Sequence, residues 1–240
     1  MQPPPMLAGV LLHDILARRA STDGSGPFLT CYVSAPEARP DRTELSARSF
    51  ANWVAKTANL LTDEIGLDPG DRVELRLAAD HPGHWMTLIW VMAAWQAGLT
   101  VTDRNGDVVV DGPRPPASTP TVPAYAASLH PLGLGLRDLP PGWLDFSSAA
   151  LAQPDDWFGE GPEDADAVAW EVARVERSFA ELTSVTPSAR RGLVVDPRSA
   201  WDAVQECLAA PLLGGGSSVV AIGVDETTRA RIAVDEKVEP

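Results

Sequence analysis

Lysine is nearly missing from this chain. Of its 19 basic side chains only Lys56 and Lys237 are lysines, set against 33 acidic residues, for a net charge of −14 and a pI near 4.6. Such a surface repels phosphate backbones and anionic lipid, so nucleic-acid binding and membrane-surface binding are excluded as expectations. Two amines also leave little material for lysine chemistry.

Cysteine and histidine are sparse as well, at two and four residues. Cys31 and Cys207 lie far apart in apolar contexts, with no C-x-x-C or Cys/His spacing, and read as reduced, buried thiols of a cytoplasmic protein. The start "MQPPPMLAGVLLHDILARRA" has prolines and Asp14 where a secretory signal would carry basic and then apolar residues. No apolar run is long enough for a membrane span. The densest, "WMTLIWVMAAWQAGL" from Trp85 to Leu99, falls short of the ~20 residues a bilayer helix needs, and reads as a core helix.

What is present is 45% apolar content over 240 residues, ample for a core, with helix and strand periods in alternation. Ala47, Phe50, Ala51, Val54, Ala58, Leu61 and Ile65 form one helical face, with Ser46 as N-cap and Gly66 at the left-handed stop. "LDPGD" is a turn, and "RVELRLA" alternates Val73, Leu75 and Leu77 like a strand. A second helical stripe, Trp85, Leu88, Ile89, Met92 and Trp95, precedes the strand-like "LTVTD". Helix, strand, helix, strand with short links implies an α/β fold, a layered, mostly parallel sheet with helices on both faces.

Residues 112–124 read as a proline-rich connection and 130–163 as long ordered loops. "DAVAWEVARVERSFAEL" fits both periods and is read as a short strand running into a helix. "RGLVVD", "SAWDAVQECLAAPL" and "SSVVAIG" follow as strand, helix and strand. Residues 1–240 are expected to form one domain, frayed at 1–6 and at 225–240, where an edge strand is the expected element.

The passage from Glu44 to Thr102 resembles the opening of the adenylate-forming enzymes, the acyl-CoA synthetase and AMP-binding superfamily. Gly66, Pro69, Gly70, Asp71 and Val73 match that family's Gly-x-x-Pro-Gly-Asp-x-Val turn, and Ala97 and Gly98 match the end of its second helix. "WDAVQECLAAPLLGGGSSVVAIG" resembles a later helix, Pro-Leu-x-x-Gly-Gly turn and strand, which is structural in the family. Gly214 to Gly216 follow a helix and precede a strand, the reverse of a phosphate-binding loop, which also needs Lys and Ser/Thr after its glycines.

The resemblance also implies a Ser/Thr/Gly-rich phosphate loop ending in Pro-Lys between Asp164 and Leu193. No glycine occurs from Asp164 to Arg191, and any tight turn there must use residues that resist positive φ. The family's adenine, magnesium and ribose motifs and its lysine-bearing lid find no match, and neither Lys56 nor Lys237 stands in a matching context. No catalytic residue, cofactor or metal site is therefore assigned.

Other chemistry is weakly signalled. His81 and His84 with Asp80 are candidate metal ligands without a second cluster, and His13 and His130 stand alone. Ser147 lacks the glycines of a nucleophile elbow. Gly133 opens only half of a dinucleotide fingerprint. The acidic stretch with Asp155, Asp156, Glu160, Glu163, Asp164 and Asp166 lacks calcium-loop spacing and reads as a solvated loop. Trp85, Trp90 and Trp95 point to more than one face of their helix, which core packing explains first and a partner surface second.

The expected function is thus a catalytically inactive AMP-binding-like protein serving as a ligand-binding or protein-interaction module. The alternative is an enzyme subunit whose adenylate-forming activity is residual or completed by a partner. A homodimer, a partner protein and a small-molecule ligand stay open.

Overall fold

A computed structural model describes residues 11–35 and 39–238; the expectation of fraying at 1–6 lies outside them. The described residues form two sheets. In the four-stranded one, β1 (Pro27–Val33) lies between β2 (Asp41–Ser46), antiparallel to it, and β11 (Ser217–Ile222), parallel to it. β10 (Arg191–Val195) pairs parallel with β11, giving the order β10-β11-β1-β2.

The seven-stranded sheet has β3 (Arg72–Leu75) near its middle, flanked in parallel by β4 (Thr100–Thr102) and β5 (Val108–Asp111). Short strands β6 (Ala124–Ala126) and β7 (Leu144–Asp145) extend the β5 side, while β8 (Val168–Val172) and β9 (Val175–Ser178) extend the β4 side. The register Val73↔Val101↔Trp170 turns these side chains to one face.

The helices between the sheets form where their caps and stripes predict. In α2 (Ala47–Asn59), Ser46 Oγ accepts the Ser49 amide at 3.1 Å, and a π turn, Leu60–Glu64, carries the helix to Gly66 at φ +82°. α4 (Trp85–Gln96) is capped by His84 and buries every residue from Trp85 to Trp95. It touches β1 of one sheet and β3 and β4 of the other, so it has no solvent face. The spread of Trp85, Trp90 and Trp95 around this helix is core packing: Trp90 stacks on Phe146 at 4.6 Å, and Trp95 Nε1 donates to Ala169 O at 2.9 Å. With α1 (Leu12–Thr22), these helices build the main core.

Helix α6 (Ala200–Val204), a π turn (Gln205–Ala209) and α7 (Ala210–Gly214) form the run that leads into β11. The three glycines there are a turn with close contacts on both sides. Gly215 sits at φ +77°, and a Cβ at Gly214 or Gly216 would lie 2.2 Å from the Ser188 carbonyl carbon or 2.3 Å from the Arg190 oxygen.

Three expectations are corrected. Leu77 is not in the strand but opens a short helix, α3 (Leu77–Asp80), and Glu74, between Val73 and Leu75, is buried as they are. The segment 168–182 is a β-hairpin followed by a 3-10 turn (Ala180–Thr183), not a strand running into a helix. Phe179 and Leu182, which matched a helical period, are buried on that 3-10 turn. The stretch read as an edge strand is helix α8 (Glu226–Asp235), capped by Asp225, which accepts the Thr228 amide at 2.7 Å. Only Ile232 of α8 is buried, so no apolar stripe advertised it. α8 covers Val219 and Ala221 on the outer face of the four-stranded sheet.

Candidate functional site

In open parallel sheets, ligands are met outside the carboxyl ends of the strands, where the connections diverge. That point lies at β3, since the chain passes from β3 to β4 on one side and then to β5 on the other. The residues at these strand ends are Arg76 after β3, Asp103 and Arg104 after β4, Asp111 closing β5, and Glu171 in β8.

Their charges are matched among themselves and with Arg72, which opens β3 and whose side chain reaches along the sheet to them. Glu171 accepts from Arg72 Nη2 at 2.7 Å and from Arg104 Nη2 at 3.0 Å, and Arg72 Nη2 also reaches Thr102 Oγ1 at 3.0 Å. Glu74 accepts from Arg76 Nε at 2.7 Å and from the Gly106 amide at 3.3 Å. Arg76 stands 3.9 Å from Asp111. The bonds from Arg72 and Arg104 hold the Glu171 carboxyl below its ordinary range, which keeps it ionised and makes it a poor proton acceptor. The guanidinium forks are suited to pairing with carboxylate or phosphate oxygens. No nucleophile with an adjacent base stands among these strand-end residues. Arg72 and Glu171 carry no signal in the sequence because charges alternating in a strand look like a solvated face, and Arg104 because it stands in a polar turn.

The span in which the resemblance puts a phosphate loop, Asp164 to Leu193, holds the β8–β9 hairpin, the 3-10 turn (Ala180–Thr183) and residues 184–190 leading into β10. Val172 pairs with Val175, so Ala173 and Arg174 alone reverse the chain, both with positive φ, at 51° and 65°. These are left-handed positions that glycine or asparagine normally fills. The Ala173 amide donates to Asp103 Oδ2 at 2.8 Å. The amide at the tip is therefore spent on an aspartate rather than offered to an anion.

The residues singled out in the sequence do not converge on this edge. His84 caps α4, its Nδ1 accepting the Met86 amide at 3.2 Å, and burial, with the charge of His81 adding to it, pushes its pKa down to about 3. A ring engaged in that way is not free to ligate, and no group of three or more potential ligands gathers among the described residues. Cys31 and Cys207 are free and buried; burial pushes the Cys31 thiol up to about 12 and holds that of Cys207 well above its usual range. Lys56 Nζ donates to Gln153 O at 2.6 Å and pairs with Asp155 at 3.0 Å, fastening the acidic loop to α2. Gly133 packs on Trp53 and Trp85 in a loop, and Ser147 is buried in α5 (Phe146–Leu151). Beside the acidic loop a cleft of ≈ 340 Å³ is lined by Asn59, Asp63, Pro154, Asp156, Phe158 and Gly159. It holds no base–nucleophile pair. Among the described residues, no helix is long and apolar enough to cross a membrane.

Comparison with known proteins shows where this arrangement belongs. No family model matches the chain. A TIGR03089 family protein of Mycobacterium tuberculosis (strain ATCC 25618 / H37Rv) is 30% identical over 255 residues, covering 99% of this chain and 98% of the relative. Among solved structures, an acyl-CoA synthetase of Brucella canis superposes with a TM-score of 0.66 at 15% identity, over 95% of this chain and 46% of that one. The N-terminal domain of FACL13 from Mycobacterium tuberculosis gives 0.65 at 14% identity, over 95% and 61%. The anthranilate CoA ligase AuaEII, in complex with anthranoyl-AMP, gives 0.64 at 11%, over 95% and 47%. The chain thus spans about half the length of the full-length synthetases it matches. It belongs to the TIGR03089 family and has the fold of the N-terminal domain of adenylate-forming enzymes.

Proposed function

We propose that this protein is a non-catalytic member of the acyl-CoA synthetase-like group and acts as a ligand-binding or protein-interaction module. One observation carries the reading: the stretch from Asp164 to Arg191, in which the adenylate-forming resemblance calls for a phosphate loop, has no glycine, and in its two-residue hairpin turn, Ala173–Arg174, the Ala173 amide is bonded to Asp103. A turn of that size has too few free N–H groups to wrap a triphosphate, and a carboxylate placed beside it repels one. Glu171, held ionised between two guanidinia, adds no acid or base. The ligand such an edge favours is a small anion exchanged onto the Arg72–Arg104 pair. The test is pyrophosphate exchange into ATP with a panel of carboxylic acids. No exchange above a blank is expected, and acid-dependent exchange by the purified chain overturns the reading.

A second reading is favoured by the coverage itself, since the chain matches 46% of one synthetase and 61% of an isolated N-terminal domain. On that reading a separate chain completes an acyl-activating enzyme. Co-purification of a partner that restores pyrophosphate exchange supports it, and exchange that stays absent with every co-purified chain counts against it.

A further inference from the structure

Helix α8 and the residue after it are held on the four-stranded sheet by one apolar side chain and one carboxylate. α8 has ten residues, a length that is marginal for an isolated helix, and only Ile232 is buried. Ile232 sits on Val219 and Ala221. Four residues on, the Glu236 carboxylate accepts from Tyr32 Oη at 2.6 Å, from Arg42 Nε at 3.0 Å and from Arg191 Nη2. Arg191 Nε also donates to the Glu236 carbonyl at 2.9 Å. The Glu236 side chain is 9% exposed and that of Arg191 16%, so this is a shaped carboxylate site rather than a loose surface pair. Arg191 also donates to the Thr30 and Ser217 hydroxyls of the sheet, at 3.1 and 3.2 Å, so part of its hold is independent of the helix.

The sheet face therefore has two recognition elements at fixed spacing: an apolar seat and, one helical turn further, a pair of guanidinia with a phenol. A helix carrying an apolar residue followed four positions later by a carboxylate fits both, since such residues share one face. The link to α8 runs through Gly223, at φ +63°, and the N-cap Asp225. A second copy of the chain carries the same helix with the same spacing.

We propose that the outer face of the four-stranded sheet is a helix receptor that holds α8 of its own chain and exchanges it for α8 of a second copy when the Glu236 latch opens. Exchange of an identical element builds a dimer from contacts already present in the single chain. The departing helix gives up one fully buried side chain, Ile232, with Val224 and Val238 partly buried beside it.

Two measurements on the full chain test this. A fluorescent peptide of residues 223–238 is titrated into the wild-type chain and into Glu236→Ala, whose own helix lacks the carboxylate. Binding to the variant at least tenfold tighter than to wild type, and lost when the peptide's own Glu236 is alanine, supports the receptor. A peptide that binds neither chain, with the variant's near-ultraviolet circular dichroism unchanged, overturns it. Light scattering over a concentration series of the wild-type chain reads the exchange itself and is independent of how the variant folds. The mass is expected to double with concentration, while Ile232→Asp stays at the mass of one copy; a wild-type chain of single mass at every concentration overturns the second-copy assignment.

Discussion

Arg191 and Glu236, forty-five residues apart, are joined twice, by Nε to the backbone carbonyl at 2.9 Å and by Nη2 to the carboxylate. Burial alone would raise the Glu236 carboxyl, but the bonds from Tyr32, Arg191 and Arg42 outweigh it and leave it below its ordinary range. A carboxyl lowered by folding contributes stability above its unfolded pKa, and that contribution is lost as the pH falls through the folded value. Arg191→Ala is expected to cost about 2–3 kcal/mol, between the values for surface and buried pairs. Urea unfolding at pH 7 and at pH 3 checks both statements, since the loss caused by the substitution should shrink at the lower pH.

His84 gives a second pH dependence with the same sign. Its folded pKa of about 3 lies below the ordinary 6.5, so the unfolded chain takes up the proton first and stability falls as the pH drops from 6.5 toward 3. The slope has a ceiling of about 1.4 kcal/mol per pH unit for one group. His81, whose pKa is also lowered, chiefly by burial, contributes in the same window. His84→Asn keeps a side-chain cap acceptor and is expected to flatten the stability profile between pH 6 and 5, where few carboxyls titrate. An unchanged slope counts against a buried neutral His84.

The glycine run separates steric need from mere flexibility. A methyl group at Gly216 would lie 2.3 Å from the Arg190 oxygen and 2.4 Å from the Ser188 oxygen, both backbone atoms that cannot step aside. At Gly192 the same group would meet nothing within 4 Å. Gly216→Ala is expected to destabilise by about 2–4 kcal/mol, as overpacking at a backbone contact does, while Gly192→Ala stays within about 1 kcal/mol of wild type. Thermal melts of the two variants side by side decide the matter.

The β8–β9 turn predicts a gain. Ala173 and Arg174 both occupy left-handed positions, which Asn-Gly occupies at lower cost. Ala173→Asn with Arg174→Gly is expected to stabilise by about 1 kcal/mol, read as a raised midpoint in urea. Because the tip amide stays bonded to Asp103, the added glycine is not expected to confer ATP binding, which isothermal calorimetry checks.

Much of the fold was legible from period and punctuation. The Ser46 cap, the Gly66 stop, the Pro69–Gly70 turn and the α4 stripe all stand where the sequence places them, because each depends on local chemistry. The hairpin was not legible, since Val168, Val172, Val175, Phe179 and Leu182 satisfy a helical spacing that only pairing with β4 and the turn at Ala173 overrule. α8 stayed hidden because one buried isoleucine makes no stripe. The candidate site was legible only as a deficit, the missing glycines of 164–191. Its content, the lattice of Arg72, Arg104 and Glu171, depends on long-range register that no local pattern displays.

Cys31 lies in β1 and Cys207 in the helical run against it, each with its thiolate suppressed by burial. An alkylating reagent meets a reactive sulfur only when the surrounding structure opens. Both positions therefore act as clocks: under mild labelling conditions their modification rates report how often the four-stranded sheet parts from its inner helices. Two rates that coincide mark one opening event, and a faster Cys207 marks separate loosening of the segment before the glycine turn.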